Sequence, residues 1–457
     1  MQHLYKQFSS ALTWNALLYT LYKASTTIFS FILFMRLSAY DYATWANINA
    51  LVFLSILWLD FGLRKSIPRF CPEFSRNRHT HRSFVRSILI LQSVLLILAT
   101  PFFIYSTHIS AHTLSLERNL IIFYLATALF VSEGFIAVLR TLYHAHFWNK
   151  QFNTVSIGLL TIEMIGNGLV IGMYGAHHHL LLYVLVIKIA TSIMTIMICL
   201  FMLPRLYASM QYDEKSDDAV YTKSLTKSFI KHSGIMWFNT NIKSLSERNF
   251  LVPFITYFLG HIPANIFKVA NDGALLMYRM VIKTIGSNDT ALLAHVHVED
   301  TSKKAMDNAF KKLTTKITSL CFPLLGIITI VGIHSMHSIK NNSVFLIFFI
   351  STIGYLIETV LSPYERILEV HAHYKALIYA YIPYIIMISI LYSFNVITFI
   401  GLVTMILIIQ GVRLVSSLLM VYYAHRAYAI PLPREALYQG VWHAMIIGIP
   451  VYVGGYC

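Results

Sequence analysis

Twelve apolar runs constrain this sequence more than any other feature, because each is about as long as a helix that crosses a bilayer. The runs are continuous. In lipid, such a segment can satisfy its backbone hydrogen bonds internally by forming an α-helix. The sequence therefore predicts an all-α polytopic membrane protein. The predicted spans are residues 12–35, 42–63, 87–107, 119–142, 153–175, 180–203, 235–258, 262–283, 314–335, 343–363, 376–395 and 397–423.

Composition supports this class and excludes others. Hydrophobic residues make up 57% of the 457 residues and charged residues 12%, about half the usual share in soluble domains. The first run is too long for the apolar core of a cleavable signal peptide, so we expect it to remain as a span. A weaker apolar stretch at 438–457 is either a thirteenth span or an interfacial segment.

The basic residues lie predominantly on one side of the predicted helices. Twenty-five loop lysines and arginines share the side of the N-terminus, and three lie opposite. This asymmetry predicts a cytoplasmic N-terminus in a multi-pass protein of the cytoplasmic (inner) membrane. The net charge of +15 therefore reflects the orientation of the chain in the membrane and an attraction to anionic membrane lipids. It does not indicate binding to nucleic acid. The outer loops are short, which argues against an enzyme.

Two similar strings predict an internal duplication. His144-Ala-His146 and His371-Ala-His373 lie 227 positions apart (371 − 144), almost half the chain. Each string follows an intramembrane carboxylate. Six spans in each half give two parallel bundles with the substrate path between them. We expect an N-terminal six-helix bundle, a cytoplasmic linker, a C-terminal six-helix bundle and a tail, at 1–210, 211–231, 232–425 and 426–457.

Basic residues also occur inside the spans, where each costs at least ~2.5–3.5 kcal/mol in hydrocarbon. We expect five of them to face a hydrated central cavity that holds an anionic head group such as a phosphate or diphosphate. The alternative is that they form internal ion pairs. The five candidate binding residues are Lys23, Lys243, Arg248, Lys268 and Arg279; Lys188 and Arg413 lie outside this group.

Intramembrane carboxylates are candidates for coupling transport to a proton or a sodium ion. Pairing with Lys188 or Arg413 is the alternative for the carboxylates outside the cationic group. Asp60 is expected to pair with the arginines that follow it or to cap a gate. The coupling candidates are Glu133, Glu163, Asp272 and Glu358.

The sequence predicts no metal site and no other cofactor. The four cysteines are isolated, without a C-x-x-C pair. The histidine strings at 79–81, 177–179 and 295–299 lack zinc-ligand spacing.

Short motifs resemble those of a known group. Leu37-Ser-Ala-Tyr-Asp-Tyr-Ala43, the Asp60-Phe-Gly-Leu63 close before a basic loop, and Ser246-Glu247-Arg248 are similar to the polysaccharide-export members of the multidrug/oligosaccharidyl-lipid/polysaccharide (MOP) exporter superfamily, the Wzx-like oligosaccharide flippases. Ala43 stands where those proteins more often have glycine. The resemblance also places a cytoplasmic helix around 290–298.

The resemblance implies a V-shaped pair of bundles that open alternately to each side. It also implies a flippase for an oligosaccharide on a polyprenyl diphosphate, with the cationic residues contacting the anionic head. Other glycan-assembly membrane proteins are potential partners. The alternatives are a MATE-type multidrug antiporter, a lipid II flippase of the MurJ type, a membrane scaffold and a membrane glycan enzyme.

Overall fold

The computed structural model is helical throughout its regular secondary structure, with no strand in the part of the chain that it describes. The predicted all-α class is therefore confirmed. Isolated positions between 10 and 18 are described as well, and the stretch 438–457 lies outside the described residues. The described ranges are 20–75, 77–114, 120–174, 180–208, 219–285, 289–299, 303–339, 343–393 and 396–428.

The first compact unit, the N-terminal unit, comprises residues 7–261. Its helices are α1 (Thr20–Arg36), α2 (Ala39–Leu59), α3 (Leu63–Phe74), α4 (Arg78–Leu114), α5 (Leu120–Ala145), α6 (Asn149–Tyr174), α7 (Leu180–Ala208), α8 (Ala219–Ser244) and α9 (Arg248–Leu259).

The second compact unit, the C-terminal unit, begins at Ile262. Its helices are α10 (His261–Ile285), α11 (Asp289–Glu299), α12 (Lys303–Ile339), α13 (Ser343–Val370), α14 (Tyr374–Ser393) and α15 (Val396–Tyr428). The helix α11 confirms that residues around 290–298 are helical, and its cytoplasmic location stays a prediction.

The division between the compact units falls after the predicted seventh span, whereas the sequence placed it before that span. Helix α8 packs against α2 and α3, and α9 packs against α2 and α4. Helices from the predicted second bundle therefore share the packing of the N-terminal unit.

Eight helices are long and apolar enough to cross a membrane, counted over the described ranges. They are α2, α4, α5, α6, α7, α13, α14 and α15. Large apolar side chains such as Ile97, Met197 and Phe201 are more than half exposed, as expected for faces that meet lipid. The predicted orientation in the membrane stays a prediction.

Two apolar clusters of the N-terminal unit contain stacked aromatic rings, and a third joins α5, α6 and α7. One joins α1, α2, α4, α5 and α7, and includes the stacked rings of Phe103 and Phe130 at 4.6 Å. The other buries the short helix α3 against α4, α5 and α8, with Phe74 stacked on Phe84 at 4.1 Å. The second cluster therefore fixes α3 at one end of the unit.

The two halves of the chain repeat at an offset of 225, not the predicted 227. Helices α4 and α12 both begin and end 225 positions apart (303 − 78 and 339 − 114), as do the last residues of α5 and α13. Two residues beyond the end of each of the latter two helices lies a residue with a left-handed backbone, Phe147 (φ 59°) or Ala372 (φ 57°).

The backbone hydrogen bonds at these helix ends confirm the register. Trp148 N donates to Tyr143 O, and His373 N donates to Leu368 O, each at 2.9 Å. A hydrogen bond from an N–H to the carbonyl oxygen five residues earlier closes the C-terminus of a helix. His146 therefore corresponds to His371, and the two H-A-H strings are shifted by two residues against each other.

The turn at Asp60-Phe-Gly-Leu63 brings the chain from α2 into α3. Phe61 and Gly62 both have positive φ (47° and 75°). One carboxylate oxygen of Asp60 accepts from Gly62 N at 2.8 Å, and the other accepts from Arg64 Nε at 2.5 Å. The predicted pairing of Asp60 with the arginines after it is confirmed.

We predict that Gly62→Ala destabilises the protein. A Cβ at this position would clash with Ser233 O and lie 2.8 Å from Trp237 N, both on α8. Positive φ alone costs an L-residue about 1–2 kcal/mol. The midpoint of thermal unfolding in detergent should fall markedly.

The matched control is Gly172→Ala, because a Cβ there meets nothing within 4 Å. Alanine is the better helix former, so the control should unfold at or above the wild-type temperature. Equal unfolding midpoints for the two variants would contradict this account of the turn.

Candidate functional site

A charged cluster lies between three helices of the N-terminal unit. Lys188 on α7 donates to Asn49 Oδ1 at 3.3 Å. Glu133 on α5 accepts from Ser192 Oγ at 3.1 Å. Glu163 on α6 interacts electrostatically with both Lys188 and Glu133. Two carboxylates and one ammonium therefore share this site, which leaves one negative charge to be neutralised when all three groups are ionised.

The C-terminal unit holds a buried ion pair in the same place in its own fold. Arg413 Nη1 on α15 lies 3.6 Å from Glu358 Oε2 on α13, with exposures of 3% and 8% for the two residues. The guanidinium also lies 4.4 Å from the centre of the Tyr355 ring. The Tyr355 hydroxyl donates to Asn271 Oδ1 at 3.0 Å, which extends the network to α10.

The offset of 225 relates these two clusters residue by residue. Glu133 corresponds to Glu358 (358 − 133), and Lys188 corresponds to Arg413 (413 − 188). The sequence missed this second correspondence because it aligned the repeat at 227. In the structure, Glu358 pairs with Arg413. The sequence had left open whether Glu358 forms this pair or couples transport to an ion.

A second ion pair lies on α10. Lys268 Nζ is 3.2 Å from Asp272 Oδ2, and Lys268 is 4% exposed. Lys268 was predicted to bind an anionic head group and Asp272 to couple an ion. In the structure the two residues form an ion pair on successive helical turns, which is the alternative that the sequence left open for Lys268. The predicted binding and coupling roles stay predictions.

The predicted seventh span is interrupted, which the sequence did not reveal. Helix α8 ends at Ser244 and α9 begins at Arg248, with Glu247 extended between them (φ −89°, ψ 156°). Ser244 Oγ accepts from Trp58 Nε1 at 2.9 Å and donates to Asn241 O at 2.7 Å. The serines at 244 and 246 are the residues in the sequence that could have indicated this break, because a serine side chain competes with the backbone hydrogen bonds of a helix.

Two predicted cations flank this interruption. Lys243 lies in the last turn of α8, and Arg248 is the first residue of α9. Both side chains are half-buried, and Arg248 donates to Asn249 Oδ1 at 3.2 Å. The arrangement places two basic groups at a break in a span, next to the N-terminus of a helix.

For the remaining two predicted cations, the structure describes the position of the backbone and not that of the side chain. Lys23 lies on α1 and Arg279 on α10, and their side chains lie outside the described part of the structure. Lys23 corresponds to Arg248 at the offset of 225 (248 − 23). The shared cationic cavity stays a prediction.

The fold is that of the transporters of the MOP superfamily. Within that superfamily, the solved structures that it resembles include an outward-facing multidrug resistance MATE family transporter (TM-score 0.64, 12% identity, 93% of this chain and 95% of that one). They also include the eukaryotic MATE transporter AtDTX14 (0.63, 10%, 97% and 98%). A third is a MOP superfamily transporter from Pyrococcus furiosus (0.60, 12%, 93% and 95%).

No protein-family model matches the sequence, and no curated protein matches it. At identities of 10–12%, the likeness to the solved structures shows the fold. It confirms the predicted MOP-type fold class of this multi-pass helical protein.

We predict that Arg413→Met strongly destabilises the C-terminal unit. The substitution leaves Glu358 buried without its cation, and breaking a buried ion pair typically costs about 3–5 kcal/mol. The double variant Glu358→Gln, Arg413→Met removes both charges and should recover much of the loss. Thermal unfolding of the wild type, both single variants and the double variant gives the coupling directly.

Lys188→Met is the matched comparison in the N-terminal unit. Lys188 is half-buried and held by an amide oxygen, so its removal should cost less than removal of Arg413. A double variant no more stable than Arg413→Met alone would contradict the pairing.

Proposed function

We propose that this protein is a membrane transporter that moves a polyprenyl-diphosphate-linked oligosaccharide across the cytoplasmic membrane by alternating access. The MOP-type fold over more than nine-tenths of the chain supports a transporter. The charge of the intramembrane residues supports an anionic substrate. The prenyl tail would stay in lipid while the diphosphate head binds to protein.

The interruption between α8 and α9 is the observation that carries this proposal. Transporters commonly bind substrates where a spanning helix is broken, because the broken ends expose unsatisfied backbone groups. The N-terminus of α9 carries the positive end of the helix dipole, which favours a phosphate. Lys243 and Arg248 add two formal positive charges there, and Glu247 offsets one of them.

The polarity of this site separates the proposal from export of cationic drugs. A site for a cationic drug should be acidic or apolar, whereas the break in the seventh span is flanked by a lysine and an arginine. The P. furiosus transporter is itself described as having a binding pocket of reverse polarity, which suggests a different function for that protein. This precedent supports reading substrate charge from site polarity within the fold.

The cluster of Glu133, Glu163 and Lys188 is our candidate for ion coupling. It holds one carboxylate more than it holds cations, so it can take up one proton or one sodium ion without leaving a net charge. The corresponding pair in the C-terminal unit is already neutral, and Ile388 stands at the position equivalent to Glu163 (388 − 163). The coupling ion would therefore bind in the N-terminal unit.

We predict that the wild-type chain restores O-antigen display to a strain whose O-antigen flippase has been deleted. Arg248→Glu and Lys243→Glu should abolish this activity, because reversed charges repel the diphosphate. Lys23→Glu, at the position equivalent to Arg248, should do the same. Surface O-antigen is measured against the amount of each variant in the membrane.

The control is Lys227→Glu, which reverses an exposed lysine on the same helix as Lys243, nearly five turns from the break. It should complement like the wild type. Normal O-antigen display by the Lys243 and Arg248 variants would refute the proposed site. Restored lipid II transport in place of O-antigen display would instead identify a MurJ-type substrate.

We predict that Glu163→Gln uncouples transport from the ion gradient. The substitution removes the surplus carboxylate while keeping its shape, so lipid-linked oligosaccharide should flip in proteoliposomes without responding to an imposed proton or sodium gradient. Glu73→Gln, which changes a carboxylate on the short helix α3, is the control and should keep the gradient response. An unaltered gradient response in Glu163→Gln would remove this residue from the coupling mechanism.

A MATE-type antiporter for cationic drugs is the second candidate. The surplus carboxylate in the N-terminal unit and the likeness to MATE structures favour it. Efflux of a cationic dye that depends on Glu163, together with failure to restore O-antigen, would favour the antiporter over the flippase.

A further inference from the structure

Three side chains with metal-binding atoms converge beside the short helix α3. Cys71 lies on α3, His81 on the first turn of α4, and His146 directly after α5. Cys71 Sγ is 3.1 Å from His146 Nε2, which is 2.8 Å from His81 Nε2. The exposures of Cys71, His81 and His146 are 1%, 0% and 9%.

The orientation of His146 makes this more than a chance cluster. Its Nδ1 lies 2.6 Å from the carbonyl oxygen of Leu142, so Nδ1–H donates to that oxygen. The Nε2 of His146 therefore carries no proton of its own and faces the second imidazole at 2.8 Å. The cysteine sulfur lies beside the His146 ring, 3.1 Å from Nε2 and 3.7 Å from Nδ1. A backbone carbonyl that holds the outer nitrogen of an imidazole is the usual arrangement around a metal-binding histidine.

The duplicated fold provides an internal comparison. At the offset of 225, Cys71 corresponds to Val296 and His81 to Met306 (296 − 71 and 306 − 81), whereas His146 corresponds to His371. Val296 and Met306 are buried at 0% and 8%. At these two positions the C-terminal unit thus has apolar side chains beside His371, whose ring contacts His297 and Tyr428. The fold itself therefore does not require a thiol at 71 or an imidazole at 81.

We propose that Cys71, His81 and His146 bind a zinc-class transition-metal ion that ties α3 to the ends of α4 and α5. One thiolate and two imidazoles suit Zn²⁺, and an exogenous ligand such as water would complete a tetrahedron. Around zinc, the two nitrogens would lie about 3.3 Å apart and sulfur about 3.6 Å from each. The 2.8 Å separation of the two nitrogens needs to open by about 0.5 Å, and the thiol must rotate from beside the His146 ring to the side of its Nε2. All three ligand atoms already lie within 4.8 Å of one another, so rotations of the side chains would supply this change.

The proton balance of binding is simple. Burial raises the pKa of the Cys71 thiol to about 12, and burial lowers the pKa of His146 to about 4, so both are neutral near pH 7. When the metal–sulfur bond forms, the thiol proton leaves to solvent. His146 already carries the lone pair on Nε2. His81 donates its Nε2–H to His146 in the metal-free state, so that proton must leave Nε2 and the Nδ1 of His81 must take one up before its Nε2 binds the metal.

The site has a structural consequence that is independent of what the protein transports. Helix α3 packs on α8 through Phe70 and Phe229, whose ring centres are 5.6 Å apart. A bound metal would lock α3 to α4 and α5 on its other side. The position of α8, the helix that leads to the broken span, would then depend on the metal.

The test is titration of the detergent-solubilised full-length protein, purified without a histidine tag and stripped with a chelator, with Co²⁺ as the spectroscopic probe. We expect one Co²⁺ per chain with a thiolate-to-cobalt charge-transfer band, and displacement of cobalt by Zn²⁺. Cys71→Ser should lose the band and bind at least tenfold more weakly. Cys199→Ser, at a buried cysteine on α7, should behave like the wild type.

A second variant separates metal binding from folding. Cys71→Val combined with His81→Met copies the apolar corner of the C-terminal unit, so it should fold but show neither the cobalt band nor a rise in unfolding temperature with Zn²⁺. The wild-type unfolding temperature should rise with Zn²⁺. Absence of a stoichiometric thiolate band in the wild type, or an equal band in the double variant, would overturn the proposal and leave a hydrogen-bonded cysteine–histidine cluster.

Discussion

The high cost of a charge in hydrocarbon underlies the structure described here. Each intramembrane charge must be paired, hydrogen-bonded or hydrated, because exposure to lipid would consume a large part of the protein's stability. The described helices meet this requirement mainly by pairing across neighbours, as Glu358 and Arg413 do, or along one helix, as Lys268 and Asp272 do. These pairs fix which helix faces turn inward and leave apolar side chains to cover the outside.

The same scaffold, used twice, carries different chemistry in its two copies. A carboxylate and a cation stand at equivalent positions in both, but the N-terminal unit adds Glu163 where the other has Ile388. It also places a cysteine and a histidine beside α3 where the other places Val296 and Met306. The shared residues serve packing and charge balance, and the residues that differ are where ion coupling and metal binding are proposed.

Much of the fold could be predicted from the sequence because hydrocarbon imposes a strict length and polarity on each span. The twelve observed helices that cover the eleven spans from two to twelve lie close to the predicted runs, with α8 and α9 sharing one of them. Helix α3 was missed because a short helix buried on one side carries polar residues and two prolines. The turn before α3 could be predicted from Asp60 and Gly62, because the hydrogen bond that forms it joins residues only two positions apart.

The candidate sites were less predictable because they depend on distance in space. Lys268 was expected to face a cavity. Its partner Asp272, four residues away, is visible in the sequence, but the sequence alone does not decide between this ion pair and a cavity. Cys71, His81 and His146 are separated by 10 and 65 positions, so no ligand spacing indicated them. The break after Ser244 lies in the polar stretch 239–249 of the predicted seventh span, and polar residues inside a span are compatible with a cavity lining as well as with a helix end.

The constant register between the halves limits how this chain can change. From α4 to α7 and from α12 to α15, the connections have kept the same total length, since Glu133 to Lys188 spans as many residues as Glu358 to Arg413. One residue gained or lost inside a helix would turn everything beyond it by about 100° around the helix axis. A carboxylate so turned would face lipid in place of its cation, so length variation in these halves is confined to the loops.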